Sequence, residues 1–576
     1  MTQVSPIGKE STGPIALREG SRKKITGGAI GDCVHGTGVY EFLRTADRFG
    51  YQTFFLGAAI ETPAFVRAIE ENKAEIICVS YRNNPDSLAG ILEKFFQELS
   101  EKNLIRGKVF YFGGTPSCIA VAKKFGRFGH FFQGRENSSV IRETLFVRDP
   151  AISPVRREYE RLPLHAEALT PTDMKWIMSV DWYVPMIRSH FGLPSLDDTI
   201  DGVKKIAESG TVDLISITPD QNAQENFFEP EKMDSVRDGF GGVPVRTEED
   251  LRRIGTAAQC GNFPLLKMSA GTEDLMKWAS MGISTVNNAW GAVPLFWQSE
   301  LDGRSTRPLA AAIRENREVV RWYAKQGIPV SVNDSYQWSL WDSSDVISVA
   351  ASYLAAYNAK KLGVKTYIAP FVFHTPRQLS AKMDLAKMLA NLEMITRLED
   401  NSFVCLREVG VTHSSPDQDI AKGELAASVL LALALKPQII TVVGSSVTDH
   451  AATAEEVIAS CKIVRSVVQN TGRDFPALVP DKDVIARKNH LVKEAAYLLD
   501  KIAGAFQAES ADPLSDPRIL AKIVTCGYFD APQLKNSPVA RGVLRTMPVN
   551  GGIDAVDARG KPLLEQERIA DLLTSS

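Results

Sequence analysis

No Cys-x-x-Cys pair occurs in this 576-residue chain, and no uninterrupted apolar run approaches the roughly 18 to 20 residues of a membrane span. The seven cysteines, Cys33, Cys78, Cys118, Cys260, Cys405, Cys461 and Cys526, are odd in number and scattered. That spacing suggests neither a disulfide framework nor a zinc or iron–sulfur site. Most are expected to be small buried residues. An excess of basic charge is also missing: 66 Lys and Arg stand against 69 Asp and Glu, a net charge of −3. Nothing therefore points to nucleic acid. The first 24 residues are polar, without the apolar core of a secretory signal, so the cytoplasm is the expected location. With 44% hydrophobic content and this length, the chain should form more than one domain.

Against these absences one stretch stands out: Ile30-Gly31-Asp32-Cys33-Val34-His35-Gly36-Thr37-Gly38. An apolar strand over 24–30 breaks at Gly31, and an amphipathic helix opens near Val39. The loop thus sits at the carboxyl end of a strand, where open α/β sheets bind ligands. His35 is a good ligand for a transition metal, and an imidazole so used needs a partner on its other nitrogen. Asp32 is a candidate for that partner. Gly36 and Gly38 would let a flat macrocycle approach the backbone.

This stretch resembles the cobalamin-binding domain of B12-dependent mutases and methionine synthases, whose signature is Asp-x-His-x-x-Gly followed by a Ser and a Gly-Gly pair on later strands. His35 and Gly38 fit the first part. Ser80 closes the apolar run 76–80, and Gly113-Gly114 closes 109–112, the family's nucleotide-tail positions. The resemblance implies a corrinoid cofactor with His35 as the cobalt's lower ligand. One departure matters: the family's Asp slot holds Cys33, with Asp32 one place further back. Either a backbone shift brings Asp32 to the imidazole, or the hydrogen-bond partner is lost or replaced.

Residues 1–22 read as a Ser-, Gly- and Pro-rich arm. Over 23–148 the pattern alternates strands 24–30, 53–56, 76–80, 109–112 and 130–133 with helices, the last at 138–146. Pro63 and Pro85 open helical turns. Five such pairs make a flavodoxin-like, Rossmann-like sheet. Residues 149–165 are Pro- and Arg-rich, a linker. Over 166–472 apolar runs at 186–191, 212–218, 264–269, 284–289, 329–333, 366–371, 403–409 and 439–443 alternate with helices, the pattern of a (β/α)8 TIM barrel. The fourth run is polar and the fifth short. Residues 473–576, with a long helix at 483–506, read as a small cap or oligomer extension.

A barrel carries its site at the carboxyl ends of its strands. These ends offer Arg188-Ser189-His190, Thr218-Pro219-Asp220, Lys267 and Ser269, Asn287-Asn288 with Trp290, Asn333-Asp334-Ser335, His374, Arg407-Glu408, Ser445-Ser446 and Asp449-His450. Arginines in a closed cavity suit a substrate carboxylate, and Glu408 can act as acid or base if desolvated. Arg188, Lys267, Asn333, Arg407 and Glu408 are the catalytic candidates. Structural competitors stand beside them: Arg407 and Glu408 point to opposite faces of one strand, Lys267 also suits an interior charge with a carboxylate partner, and Asp449 can simply cap a helix.

The barrel portion and tail are distantly similar to the catalytic subunit of glutamate mutase (methylaspartate mutase), through Leu433-Ala434-Leu435-Lys436-Pro437 and Asp449-His450-Ala451-Ala452-Thr453. The resemblance implies adenosylcobalamin chemistry through a 5′-deoxyadenosyl radical, with the corrinoid held between sheet and barrel mouth. The expected activity is a radical isomerase, or mutase, acting on a small carboxylated molecule; a coenzyme A thioester is unsupported. The alternatives are corrinoid methyl transfer, less favoured because no helical bundle precedes the His35 loop, an aminomutase also using pyridoxal phosphate with Lys267 as the imine lysine, and a corrinoid-binding sensor. A homodimer is the default for such an enzyme.

Overall fold

A computed structural model describes residues 23–48, 51–133, 144–145, 185–269, 271, 273–412, 415–443, 451–471 and 481–574. The N-terminal arm, the linker 149–165, most of the expected helix 138–146, Ser445, Ser446, Asp449 and His450 lie outside the described residues. The chain divides into two compact units, Met1–Pro163 and Leu164–Ser576.

In the first unit, five parallel strands, β1 (Lys24–Ala29), β2 (Gln52–Phe55), β3 (Ile76–Tyr81), β4 (Val109–Gly114) and β5 (His130–Phe132), take the order β2-β1-β3-β4-β5. All six residues of β3 are buried, as expected of a central strand covered on both faces. Helices Thr62–Glu71, Pro85–Glu101 and Pro116–Lys123 each carry proline in the first turn. The Asn84 side chain accepts from the Asp86 N–H, and Thr115 from the Cys118 N–H, so orphan donors are met at two helix starts. Phe95, Phe96, Phe110 and Phe112 fill one side of the sheet in edge-to-face contacts. The order reverses between β1 and β3, which opens a crevice at the carboxyl ends of those strands.

The second unit is built on eight parallel strands: β6 (Met186–Phe191), β7 (Leu214–Ile217), β8 (Leu265–Met268), β9 (Gly291–Ala292), β10 (Val330–Ser331), β11 (Thr366–Val372), β12 (Val404–Val411) and β13 (Ile439–Val442). They form a curled sheet in the order β8-β7-β6-β13-β12-β11-β10-β9, a TIM-barrel-like arrangement. No ladder joins β8 to β9. The seam is bridged instead by the Ala289 N–H donating to the Leu266 carbonyl at 2.9 Å and the Met268 N–H donating to Asn288 Oδ1 at 2.9 Å.

The fourth strand is not where alternation placed it. The first half of 284–289 completes the helix Leu275–Val286, whose Trp278, Ala279, Met281, Gly282 and Val286 are buried. Asn287, in the left-handed region at φ 51°, ends that helix, and the strand begins four residues later. A helix capped this late leaves only two residues for β9.

Helix Lys482–Phe506 packs on Ala381–Thr396 and Asp345–Lys361. Its Leu491, Leu498 and Ile502 join the same hydrophobic core as the strands and helices of the curled sheet. The tail also carries a hairpin, β14 (Thr546–Val549) with β15 (Gly552–Ala555), and helix Glu565–Thr574. Among the described residues no helix is long and apolar enough to cross a membrane.

Candidate functional site

Two groups of side chains carry chemistry, one in each unit. In the first, β1 runs into Gly31, whose φ of +68° and contact with Ile91, 2.6 Å from where a Cβ would stand, require glycine. The loop that follows is tied down on both sides. Asn83 Nδ2 donates to the Asp32 carbonyl at 2.9 Å, the Arg82 N–H to Cys33 Sγ at 3.3 Å, and Ser80 Oγ to the His35 carbonyl at 3.4 Å. Its backbone is thereby fixed while the His35 side chain stays exposed.

Cys33 is fully buried, and its sulfur lies 3.9 Å from His35 Nδ1. Asp32 turns elsewhere. Its carboxylate acts on Tyr81, whose phenol is pushed up to about 12, first by burial and then by Asp32. No backbone shift brings Asp32 to the imidazole; the residue in the family's Asp slot faces it. The Tyr81 hydroxyl, which the sequence did not single out, is buried without a hydrogen-bond partner at bonding geometry.

The glycines divide by cause. A Cβ on Gly38 would meet nothing within 4 Å, and on Gly113 only the Phe132 carbonyl at 4.0 Å. On Gly36 it would meet Phe55 at 3.3 Å. On Gly114 it would strike the Tyr81 carbonyl at 2.6 Å, so that glycine serves the packing of β4 on β3. Gly38 and Gly113 thus leave open space beside the His35 loop and Ser80, all at the carboxyl edge of β1, β3 and β4.

These residues fit a corrinoid. A corrin ring supplies its own equatorial nitrogens, so the protein needs to offer one axial imidazole rather than a multidentate nest. Among the described residues no cluster of three or more His, Cys, Asp or Glu is placed to hold a metal ion. The exposed His35, with a buried partner on its other nitrogen and glycine-lined space nearby, meets the requirement that a donor set alone would not.

In the second unit, alternate residues of the strands point into the curled sheet and assemble a polar group. Arg188 and Glu408, both almost fully buried, form an ion pair. Thr441 donates to Glu408 Oε1 at 2.6 Å, and Arg188 Nε donates to Ser216 Oγ at 2.6 Å. Arg188 Nη2 lies 3.2 Å from His190 Nε2. Because a guanidinium only donates, this nitrogen of His190 is the acceptor and the proton sits on Nδ1. His190 keeps exposed surface while many protein atoms stand around it. Burial, then Arg188 and Lys267, hold it well below the usual imidazole range, so it is neutral at pH 7.

Burial works to raise the Glu408 carboxyl, but Arg188, Thr441 and Lys267 outweigh it and hold the group below its ordinary range. Glu408 is therefore a resting carboxylate, not a raised-pKa acid. Arg188 differs from the open carboxylate clamp expected of it, since Glu408, Ser216, Thr441 and His190 already occupy its donors. Lys267 is 5% exposed, and burial, then Arg188, lower its amine to about 7. The Trp290 ring stands 5.6 Å from Arg188 and 5.9 Å from Lys267, and its indole N–H is buried without a partner. Ser216 and Thr441 were not anticipated. Their position two residues along from other inward side chains was the available signal.

The remaining mouth candidates hold the framework. Arg407 faces away from Glu408 and bonds Gln438 through its backbone N–H and Nε. Asn333 precedes helix Asp334–Leu340 and leaves its buried Oδ1 without a partner, with no contact to the Arg188 group among the described residues. Asp334 accepts from the Leu295 and Phe296 N–H groups at 2.6 and 3.0 Å. Asp220 caps helix Gln221–Asn226 and takes both ends of the Arg246 guanidinium. Asn288 closes the seam, and His374 Nε2 lies 3.1 Å from Ser428 Oγ.

No protein-family model matches the chain, and no curated protein matches it in sequence. Solved structures that match in part include a cobalamin-binding protein from Desulfitobacterium hafniense DCB-2, with 20% identity over 22% of this chain and a TM-score of 0.20. This chain spans 58% of that protein's length. Another is 3-keto-L-gulonate-6-phosphate decarboxylase from Vibrio cholerae, with 13% identity over 50% of this chain and 98% of that one, at a TM-score of 0.27.

Proposed function

We propose that the chain is a corrinoid-dependent enzyme, an adenosylcobalamin mutase of the glutamate-mutase type acting on a small carboxylated substrate. The observation that carries the reading is the convergence of His35, Ser80, Gly38 and Gly113 on one edge of a β2-β1-β3-β4-β5 sheet, with the His35 imidazole exposed and its backbone fixed. His35 would ligate the cobalt, Cys33 would hold its other nitrogen, and the glycine-lined space beside Ser80 would take the nucleotide tail. Adenosylcobalamin, when bound, supplies a 5′-deoxyadenosyl radical.

The interior of the curled sheet supports the substrate half of the reading. Arg188 and Glu408 neutralise one another and brace His190, so the cavity carries polar groups without a large net charge. The donors left uncommitted, the Lys267 amine, the Trp290 indole N–H and His190 Nδ1–H, are those available to the oxygens of a small polar molecule. Burial of Lys267 and Trp290 keeps water from competing for their donors, while His190 keeps exposed surface.

The test is a titration of the purified protein with adenosylcobalamin, and separately with methylcobalamin, followed by ultraviolet–visible and electron paramagnetic resonance spectra. A histidine-ligated cobalt signal in the wild type and its loss in His35→Ala is the expected result. A spectrum that the His35 substitution leaves unchanged would remove the ligand assignment. Homolysis on adding small amino and hydroxy acids supports the mutase, whereas demethylation of bound methylcobalamin by an acceptor supports methyl transfer.

A further inference from the structure

Two lysines are buried in the second unit, and their surroundings differ. Lys387 is completely enclosed and fully partnered: Asp345 and Asp384 each stand 3.7 Å away, and its Nζ donates to the Thr375 carbonyl. It is a structural cation. Lys267 forms no hydrogen bond and no ion pair within 4 Å among the described residues; the Trp290 ring stands 5.9 Å away, and the charges of Arg188 and Glu408 act on it without bonding it. Glu408, the carboxylate that acts on it, is itself bonded to Arg188 and Thr441. Unlike Lys387, Lys267 therefore has no carboxylate of its own: Glu408 favours its charge from a distance and pairs with Arg188 instead.

A second observation points the same way. The Trp290 indole N–H is completely buried with no acceptor, a group whose desolvation costs about 1 to 3 kcal/mol unless something fills the place. It belongs to the ring that stands against Lys267. On the strands, His190 is in register with Ser216, and Ser216 with Lys267, so the imidazole and the amine lie at one level of the sheet.

We infer that Lys267 is a carbonyl-reactive amine that forms an imine with the aldehyde or keto group of a small molecule bound inside the curled sheet. The nitrogen lone pair attacks the carbonyl carbon, the nitrogen loses one proton and the carbonyl oxygen gains one, giving a neutral carbinolamine. The hydroxyl then leaves as water while the nitrogen gives up its proton, and the C=N bond forms with no change of oxidation state. His190 is the group placed to carry protons in both steps, and the Trp290 N–H is placed for an oxygen of the bound molecule. Burial and the neighbouring Arg188 keep a large share of the amine unprotonated near neutral pH, the form that attacks. The inference rests on the reading of this interior as a reaction site and not on the corrinoid.

The experiment uses the full-length protein without added corrinoid, incubated with pyruvate, glycolaldehyde or pyridoxal phosphate in separate arms and reduced with sodium borohydride, which fixes an imine as a secondary amine. Intact-mass measurement and peptide mapping then locate the adduct. The expected result is a single adduct on Lys267 in at least one arm, forming with a pH midpoint near 7, and absent from a folded Lys267→Met variant. An adduct confined to the pyridoxal phosphate arm identifies a cofactor imine, and one in the pyruvate or glycolaldehyde arm a substrate imine; both support the inference. Adducts spread over surface lysines, or none in any arm, overturn it. Since the mapping is made on the wild type, a variant that fails to fold does not decide the matter. Trapping at Lys267 in a protein that binds no corrinoid would keep this inference and remove the mutase reading.

Discussion

At the scale of single residues, Cys33 is where this chain departs from the pattern it otherwise follows, and its sulfur 3.9 Å from His35 Nδ1 makes a weaker partner than a carboxylate. Cys33→Asp is accordingly expected to tighten corrinoid binding, by roughly 10- to 100-fold if second-partner effects on metal ligands hold here. Asp32→Ala, whose carboxylate acts on Tyr81 instead, should change binding by much less. A titration in which Asp32→Ala weakens binding more than Cys33→Ala would reverse the assignment. Lys267 makes a separate prediction about stability. The folded amine releases its proton near pH 7 and the unfolded one near 10.5, so the unfolded chain holds one more proton between these values. Wild-type stability should then rise with pH across that window by about 1.4 kcal/mol per unit relative to Lys267→Met. Urea unfolding at pH 7, 8 and 9 reads this out, and a difference between the two proteins that does not change with pH would count against the buried, protonation-averse amine.

At the scale of elements, the end of β4 separates a glycine needed by the fold from one that leaves room beside it. Gly114→Ala drives a methyl into the Tyr81 carbonyl and should cost about 1 to 3 kcal/mol in chemical denaturation. Gly113→Ala should leave stability within about 0.5 kcal/mol, because nothing stands closer than the Phe132 carbonyl at 4.0 Å, yet weaken corrinoid binding. Equal stability losses in the two variants would show that Gly113 also serves packing. The seam of the curled sheet makes the same point about legibility. Residues 284–289 read as a polar strand because Thr285 and Val286 favour extended structure. Burial of Trp278, Ala279, Met281 and Gly282 on a helical face overrides that local preference and carries the helix through Val286.

At the scale of the second unit, the tail is part of the core it covers. Asp345 pairs with Arg487 at 2.8 Å and also faces Lys387, while Arg487 reaches Asp554 at 2.7 Å. This buried chain of charges joins helix Asp345–Lys361 to helix Lys482–Phe506 and to β15. Arg487→Met leaves Asp345 and Asp554 without their shared cation and should cost about 3 to 5 kcal/mol. A loss below about 1 kcal/mol in thermal or denaturant unfolding would show that the network is dispensable. Deleting the tail would expose the faces of Leu491, Leu498 and Ile502 contacts, which no composition rule applied to residues 473–576 could reveal.

By itself the sequence determined the alternation of strands and helices, because a period of two switching to 3.6 and prolines at helix starts are local properties of the chain. It also showed that His35, Ser80 and the glycine pair each follow or close a strand; that β1, β3 and β4 lie side by side was decided by the β2-β1-β3-β4-β5 order of the folded sheet. Tertiary structure alone decided which partner faces an imidazole and which charges meet. Cys33 rather than Asp32 approaches His35 because Gly31 turns the loop and Asn83, Arg82 and Ser80 fix its backbone. Arg188 meets Glu408 across 220 positions of sequence, and Arg407, one residue away, does not, because the curl of eight strands turns alternate side chains inward from segments that the chain order keeps far apart.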